Sequence, residues 1–284
     1  MDRLSSHQAT KEVVQKHNFK FSKSLGQNFL IDTNVIDRIL EGARVKEGDY
    51  VIEVGPGIGT LTKEMGRSAE KVVAIEIDKT LIPILEETLE DFPNIEVINQ
   101  DILKVNVQEL VKEKLNGGPV KLVANLPYYI TTPIVMKFLE EDIPVTDIVV
   151  MVQKEVAERI CARKGKERSV LTLAVEYFGK AEYLFTIPKE AFTPIPKVDS
   201  AFMSIKLYKD DKYKKIIEED IFFKYVKAAF ANKRKNLLNN FTALGISKDE
   251  LRKILSEAGI KETERAENLT IEDFINLIAV FEKK

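Results

Sequence analysis

The chain has 284 residues, of which 44% are hydrophobic and 31% are charged, and its formal net charge is −2. This composition is typical of a globular protein with room for one or two domains. No apolar run approaches the ~20 residues needed to cross a bilayer, and the first ten residues are polar, without the apolar region of a signal peptide. We therefore expect a cytoplasmic protein with no membrane partner.

The cysteine and histidine content limits the chemistry further. The single cysteine, Cys161, excludes an internal disulfide and fits a reducing compartment, and we interpret it as structural because no histidine partner is evident. Neither His7 nor His17 stands at a zinc-finger or metalloprotease spacing from a cysteine or carboxylate. We expect no metal site.

From about residue 48 the chain alternates short apolar runs with helical patterns. The runs predict five strands, at residues 50–54, 71–77, 95–99, 122–125 and 147–153. Helical spacing between them predicts helices at residues 60–65 and 80–89 and another that begins at residue 134. This βαβ alternation predicts a Rossmann-like α/β fold with a doubly wound, mostly parallel sheet.

The later part of the chain changes character. Residues 183–187 and 201–207 lack a helix between them and predict an antiparallel hairpin at the edge of the sheet, joined by a loop, 188–200, that contains three prolines. After residue 208 only helical spacing remains, at 221–239, 248–258 and 271–281, with Ser247 and Thr270 as N-caps. We predict an α/β domain over residues 1–208 and a small helical domain over residues 209–284.

Basic residues are concentrated locally although the net charge is small. Residues 206–284 hold 17 basic and 14 acidic residues, and residues 221–240 contain five basic residues and no acid. Two weaker basic patches are predicted, one from Arg159 to Arg168 and one formed by Lys11, Lys16, Lys20 and Lys23. Patches of this kind favour contact with nucleic-acid phosphates, the alternative being a solvated helix face.

Polar residues stand at the predicted carboxyl ends of four successive strands. The first strand runs into Glu53-Val54-Gly55-Pro56-Gly57-Ile58-Gly59, and Glu76, Asp101 and Asn125 end the next three. Open α/β sheets bind ligands at this edge, the glycines allow close approach to backbone, and a carboxylate such as Glu76 can accept both ribose hydroxyls. The spacing G-x-G-x-G differs from the dinucleotide pattern, and an acidic rim suits a cation better than a diphosphate. We therefore expect S-adenosylmethionine as cofactor, the alternative being glycines for packing beside solvated acids.

The fourth strand ends in Asn125-Leu126-Pro127-Tyr128. The side-chain oxygen of Asn125 and the Leu126 carbonyl could each accept one N6–H of an adenine, which would favour a pyramidal nitrogen with its lone pair freed toward an electrophile. Tyr128 would stack on the base. Without other features, an ordinary tight turn explains this run equally well.

In combination these motifs resemble the rRNA adenine N6-dimethyltransferases, specifically the KsgA (RsmA) type. Nearly the whole chain takes part in the resemblance. The matching segments are Phe21 to Leu30, Glu53 to Gly59, Glu76, Gln100-Asp101, Asn125 to Tyr128, Phe192 to Ser200 and Ala229 to Lys235. The resemblance implies dimethylation of two adjacent adenosines in the 3′-terminal hairpin of small-subunit (16S) rRNA, within a pre-30S particle.

The resemblance also implies roles for individual residues. Cofactor contacts are expected from Asn28, Leu30, Gly55, Gly57, Glu76, Asp101 and Asn125. Tyr128 and Phe192 are expected to flank the target base beside Asn125, Leu126 and Pro127, although Phe192 could instead be a hydrophobic anchor for its loop. Lys233, Arg234 and Lys235 are expected to bind RNA.

Three other functions stay open from the sequence. A large-subunit (23S) rRNA adenine methyltransferase of the antibiotic-resistance type shares the Asn-Leu-Pro-Tyr logic, but the long Phe-x-Pro-x-Pro loop favours the small-subunit type. A largely non-catalytic ribosome assembly factor is a different class, disfavoured by the intact cofactor positions. A DNA adenine methyltransferase fits residues 125–128 alone. No heptad or large apolar stripe demands a protein partner, so we expect a monomer.

Overall fold

The computed structural model describes residue 4, residues 6–22 and residues 25–283. Lys23 and Ser24, which belong to a predicted basic patch and to the N-terminal motif, lie outside them. The chain forms two compact units: unit 1 comprises residues 1–157 and 182–207, and unit 2 comprises residues 158–181 and 208–284. Within the described ranges, no helix has the length and apolar character that a membrane span requires.

Unit 1 is built from alternating strands and helices. In chain order up to residue 153 these are α1 (His7–Lys16), β1 (Phe29–Leu30), α2 (Thr33–Ala43), β2 (Tyr50–Val54), α3 (Thr60–Gly66), β3 (Lys71–Glu76), α4 (Ile82–Thr88), β4 (Ile95–Asn99), α5 (Val107–Lys114), β5 (Val120–Asn125), α6 (Thr131–Glu140) and β6 (Val145–Gln153). The chain continues through α7 (Lys154–Cys161) and α8 (Val170–Phe178), of which α8 belongs to unit 2. It then forms β7 (Gly179–Ile187), β8 (Phe192–Thr193) and β9 (Ser200–Leu207).

Seven strands form one sheet in the order β4-β3-β2-β5-β6-β9-β7. The five strands from β4 to β6 are parallel, and β9 pairs antiparallel with β6, with Val149 opposite Ser204. The predicted α/β class is therefore confirmed, including its antiparallel edge. Because the chain runs from β2 outward to β3 and β4 and then returns to β5, the strand order reverses between β2 and β5. Such a switch point opens a crevice at the carboxyl ends of the strands.

Local sequence explains why these elements form. The strands are apolar runs whose side chains are buried in the sheet, as in β2, where Val51 and Ile52 have no exposed surface. Asp32 caps α2 by accepting hydrogen bonds from the amides of Asn34 and Val35. On one side the sheet packs against α2 and α3 through a cluster that includes Ile36.

Unit 2 is helical. After β9 its elements are α9 (Glu219–Ala229), α10 (Leu237–Phe241), α11 (Lys248–Glu257) and α12 (Ile271–Glu282), and it also holds α8. Aromatic rings build its core, since Tyr177 of α8 stacks on Phe222 of α9 with 4.5 Å between ring centroids. The capping box predicted at Thr270 is present, with Asp273 as its partner.

One predicted helix differs from this structure. The single helix expected at 221–239 is two helices, because Asn232 forms a turn by accepting from the amide of Arg234, and Asn236 then caps a new helix. Residues 158–181 precede the predicted domain boundary at residue 208 but group with the C-terminal helices. The boundary itself stays a prediction.

Candidate active site

A cleft opens in unit 1 at the carboxyl ends of β2, β3 and β5, where the strand order reverses. Its volume is about 1040 Å³, including the part continuous with solvent. Ten residues that the sequence predicts for the site line it: Asn28, Leu30, Gly55, Gly57, Glu76, Asp101, Asn125, Leu126, Pro127 and Tyr128. Residues far apart in the chain therefore meet in one cleft.

The loop after β2 forms the floor of the cleft with a backbone conformation that favours glycine. Gly55 and Gly57 have φ of +71° and +60°, in the left-handed region. A side chain at Gly55 would reach within 3.8 Å of Pro127, and one at Gly57 would meet the Phe29 ring at 3.1 Å. The loop is thus held between the segment at Phe29 and the turn at Pro127, with its backbone bare toward the cleft.

Two buried carboxyl groups give the cleft its electrostatic character. Glu53 is 1% exposed, and burial together with the negative charge of Glu76 raises its pKa to about 8. Burial likewise raises the pKa of Glu76 to about 7, although the amide of Asp78 donates to its carboxylate at 2.8 Å. Oε2 of Glu53 has no hydrogen-bond partner among the described residues. A cation in the cleft would satisfy both groups and restore their ionised forms.

These features fit S-adenosylmethionine, which carries a positive sulfonium, an ammonium group, a ribose diol and an adenine. Glu53 and Glu76 supply negative charge, the bare glycine loop admits a close ligand, and apolar surface for a ring comes from Ile77 and Ile102. Ile77 is 48% exposed. Asp101 lies beside them, with Oδ1 engaged by the amide of Leu103 at 3.0 Å. Sequence patterning does not identify the two isoleucines, because apolar residues next to strands usually belong to the core.

The amide of Asn125 is held in one orientation. Its Nδ2 donates to the backbone carbonyl of Asn28 at 3.2 Å. A flipped amide would bring two oxygens together, so the hydrogen bond fixes Oδ1 as the remaining acceptor. The contact joins Asn125 to the N-terminal segment, which no local pattern reveals, since 97 residues separate the two positions.

Of the two backbone carbonyls that follow Asn125, that of Pro127 accepts hydrogen bonds from described residues and that of Leu126 does not. The carbonyl of Pro127 accepts from the amide of Ile130 at 3.1 Å and from the hydroxyl of Thr131 at 3.2 Å. The amide of Leu126 donates to Met151, whereas its carbonyl accepts no hydrogen bond from any described residue. The turn therefore presents two unengaged acceptors in succession, Asn125 Oδ1 and Leu126 O.

Tyr128 lies in the cleft wall, and its hydroxyl is 2.6 Å from Oγ of Ser200, the first residue of β9. Burial raises the pKa of this hydroxyl. The hydrogen bond restrains the ring, so a base that enters the cleft meets a fixed aromatic surface.

Phe192, which is expected to flank the target base, does not line the cleft in this structure, and its role stays a prediction. Phe192 is 1% exposed and packs in the core cluster with Ile36 and Val149, and it does not line the cleft. The cause is the pairing of β8 with β1, which places Phe192 opposite Leu30. The alternative role as a hydrophobic anchor for the loop describes this geometry.

Tyr129 is a cleft residue that the sequence analysis missed. Its ring is 53% exposed and lies 3.5 Å from the position of a side chain on Gly26. Burial and the nearby carboxylates of Asp101 and Glu76 raise its pKa. The sequence signal that could have indicated it is a second aromatic residue directly after Tyr128.

The predicted RNA-binding residues Lys233, Arg234 and Lys235 belong to unit 2. They lie in the turn between α9 and α10 rather than on a helix, and all three are exposed. None of them forms an ion pair within the described ranges. Asn240, which is buried, supports the turn by donating to the carbonyls of Ala229 at 2.6 Å and Asn232 at 3.1 Å.

The fold and cleft are those of a methyltransferase that uses S-adenosylmethionine, and comparison with known proteins identifies the family. Residues 18–283 match the family model described as ribosomal RNA adenine dimethylase. The chain belongs to this family.

Similar proteins agree with this assignment. The chain is 64% identical to ribosomal RNA small subunit methyltransferase A of Clostridioides difficile, with 100% of the chain and 99% of that protein covered. It is 47% identical to the protein of the same name from Bacillus mycoides, with coverage of 98% and 97%.

Two solved structures resemble nine tenths of the chain. A dimethyladenosine transferase from Plasmodium falciparum has a TM-score of 0.76 and 26% identity, and 90% of this chain and 98% of that one are covered. The 23S rRNA methyltransferase ErmE has a TM-score of 0.70 and 27% identity, with coverage of 90% and 100%.

Proposed function

We propose that this protein dimethylates N6 of two adjacent adenosines in the 3′-terminal hairpin of small-subunit (16S) rRNA, with S-adenosylmethionine as the methyl donor. One observation carries the chemistry: Asn125 is oriented by Asn28 so that Oδ1 and the Leu126 carbonyl are two successive free acceptors in a cleft. The family match and the small-subunit relatives support the substrate. The reaction is a transfer of one-carbon groups.

The cofactor's place follows from the residues of the cleft. Glu76 would accept from the ribose hydroxyls, Asp101 would meet the adenine amino group, and Ile77 and Ile102 would offer apolar surface to the ring. Gly55 and Gly57 leave room beside the backbone, and Asn28 and Leu30 close the cleft from the N-terminal segment. When bound, the cofactor supplies an electrophilic methyl group on a positively charged sulfur.

The protein's own residues prepare the nucleophile. The N6 lone pair of adenine is delocalised into the ring, so the nitrogen is a poor nucleophile. Asn125 Oδ1 and Leu126 O each accept one N6–H and favour a pyramidal nitrogen, while Tyr128 holds the base by stacking. Each alkylated nitrogen releases its proton to water. Positioning and preorganised acceptors supply most of the rate enhancement.

Replacement of Asn125 tests this arrangement. Asn125→Ala removes one acceptor, and loss of one such group costs about 10²–10³-fold in turnover. We expect that loss in transfer of labelled methyl groups to unmodified small-subunit particles, and a much smaller loss of cofactor affinity by calorimetry, because Asn125 is also an expected cofactor contact. Retained transfer, or loss of cofactor binding in parallel with activity, would contradict the role of Asn125.

The similarity to ErmE makes large-subunit rRNA the competing substrate. Primer extension on both rRNAs after incubation with the protein and cofactor separates the two. We expect stops at two neighbouring adenosines of small-subunit rRNA and none on large-subunit rRNA, and the reverse pattern would overturn the proposal. A protein that binds particles without any transfer would be an assembly factor.

Recognition of the particle extends beyond the cleft. Lys233, Arg234 and Lys235 are exposed and unpaired in the described part of unit 2, which suits contact with RNA phosphates. We place the reaction in the cytoplasm during assembly of the small subunit, in a pre-30S particle, and propose that the protein acts as a monomer. Residues 1–208 then form the catalytic domain and residues 209–284 the RNA-binding domain.

A further inference from the structure

The segment between β8 and β9, residues 194–199, exposes two apolar side chains and is called the proline loop below. Ile195 is 62% exposed and Val198 is 44% exposed, with exposed Lys197 between them. Single exposed apolar residues are ordinary on protein surfaces. Two of them in six residues, directly before a strand of the active-site sheet, indicate a surface that contacts something.

Both ends of the proline loop are attached to the wall of the cleft. Thr193, before the loop, pairs with Phe29, and Ser200, after it, is 2.6 Å from the hydroxyl of Tyr128. Phe29 and Tyr128 both line the cleft. A loop of six residues that leaves and returns reaches at most about 10 Å from its ends. Its exposed side chains therefore lie within a few nucleotides of a base held against Tyr128.

The proline loop is also restrained. Pro194 and Pro196 have fixed φ angles, and Asp199 joins the loop to two neighbouring segments. The Asp199 carbonyl accepts from the amide of Lys154 at 3.0 Å, and Oδ1 accepts from the amide of Lys189 at 3.1 Å. A restrained loop keeps its apolar side chains in water, whereas a flexible one could turn them toward the core.

An adenosine that enters the cleft must leave its RNA stack, which costs unstacking energy and leaves a gap beside its neighbour. Apolar side chains of proteins that bend nucleic acids fill such gaps. We infer that Ile195 and Val198 form a wedge that enters the stack next to the target adenosine, while Lys197 neutralises an adjoining phosphate. This inference rests on the proposed function and assigns to the proline loop the task of opening the stack.

The wedge is tested with the double variant Ile195→Ala, Val198→Ala. Because both residues are exposed, their truncation leaves the core intact. The matched control is Ile216→Ala, since Ile216 is 60% exposed and belongs neither to the cleft lining nor to the basic turn at residues 233–235. With unmodified small-subunit particles we expect the double variant to lose at least about tenfold in kcat, equivalent to about 1.4 kcal/mol, while particle affinity changes less than about threefold. The control should match the wild type.

A second measurement reports the opening itself. Particles with 2-aminopurine in place of one target adenine should brighten when the wild-type protein binds, and should brighten less with the double variant at saturation. A double variant that methylates and brightens like the wild type overturns the wedge, as does one whose loss lies entirely in particle affinity. Absence of methylation by the wild-type protein would instead refute the proposed function.

Discussion

At the scale of single residues, the cleft contains a carboxyl group whose complete burial is unfavourable for the stability of the ligand-free protein. Glu53 is only 1% exposed, and its Oε2 has no hydrogen-bond partner among the described residues. Removing a charge from water without a partner is costly, so the neutral acid persists well above its ordinary range. Binding of a positively charged ligand would offset this desolvation cost.

Glu53→Gln should therefore stabilise the ligand-free protein in a pH-dependent way. The pKa of Glu53 is about 8 in the folded protein against 4.5 for the ordinary side chain. Between these values the folded state keeps a proton that the unfolded chain has lost, so the free energy of unfolding falls as pH rises. Glutamine does not titrate, so the free energy of unfolding of the variant does not fall with pH through this group. We expect thermal unfolding to show a gain of at least about 2 °C at pH 8.5 and almost none at pH 5.

Equal gains at both pH values would contradict this explanation, because a packing effect does not depend on protonation. Ile39→Val provides a control at another buried position of unit 1 whose substitution introduces no titrating group. Its effect on the unfolding temperature should be the same at pH 5 and pH 8.5.

The sequence reveals residues whose role depends on local chemistry, and it fails for those whose role depends on distant partners. Gly55, Glu76 and Asn125 are recognisable because each follows a strand-like run, and parallel strands bring their ends together. The burial of Phe192 depends on pairing with Leu30, and a local pattern carries no information on that register. Tyr129 is missed for the same reason, since its exposure beside Gly26 depends on the N-terminal segment.

At the scale of elements, strands are predicted more accurately than helices. The parallel strands are short apolar runs that admit few other structures. Helix α8 is as apolar as a strand, so its position among the helices of unit 2 follows from packing against Phe222 and not from periodicity. The break between α9 and α10 depends on two asparagines, Asn232 and Asn236, which continuous helical spacing conceals.

The turn between α9 and α10 gives a prediction at this scale. Asn240→Ala leaves the carbonyls of Ala229 and Asn232 without their donor, at about 1–3 kcal/mol for a buried unsatisfied group. The turn that presents Lys233 to Lys235 should loosen. We expect particle affinity to fall several-fold and the unfolding temperature to drop, with cofactor affinity unchanged.

Asn239→Ala is the matched control for Asn240→Ala. The two residues are adjacent in α10, but the side chain of Asn239 makes no hydrogen bond within the described ranges. Its replacement should leave particle affinity as in the wild type. If both variants bind particles equally well, the turn does not need the support of Asn240.

At the scale of the whole molecule, the net charge is small, but acidic and basic residues are concentrated in different regions. The net charge of −2 gives no general attraction to RNA, so affinity has to come from local groups. Residues 221–240 supply five basic residues without an acid, while the cofactor cleft is acidic. This separation keeps the negative charge that suits a cationic cofactor apart in sequence from the positive charge that suits phosphates.

The salt dependence of RNA binding shows whether the basic residues of 221–240 contact the phosphates or whether the overall charge determines affinity. Each phosphate contact contributes about 0.7–0.9 to the slope of log affinity against log salt concentration. Replacing Lys233, Arg234 and Lys235 by Ala should lower that slope by about 2–3 for small-subunit particles, with cofactor affinity unchanged. The triple variant Lys248→Ala, Lys253→Ala, Lys261→Ala removes the same charge from exposed positions of unit 2 and should leave the slope as it is. Equal reductions in both variants would mean that total charge governs the encounter, and the turn would then be an ordinary solvated surface.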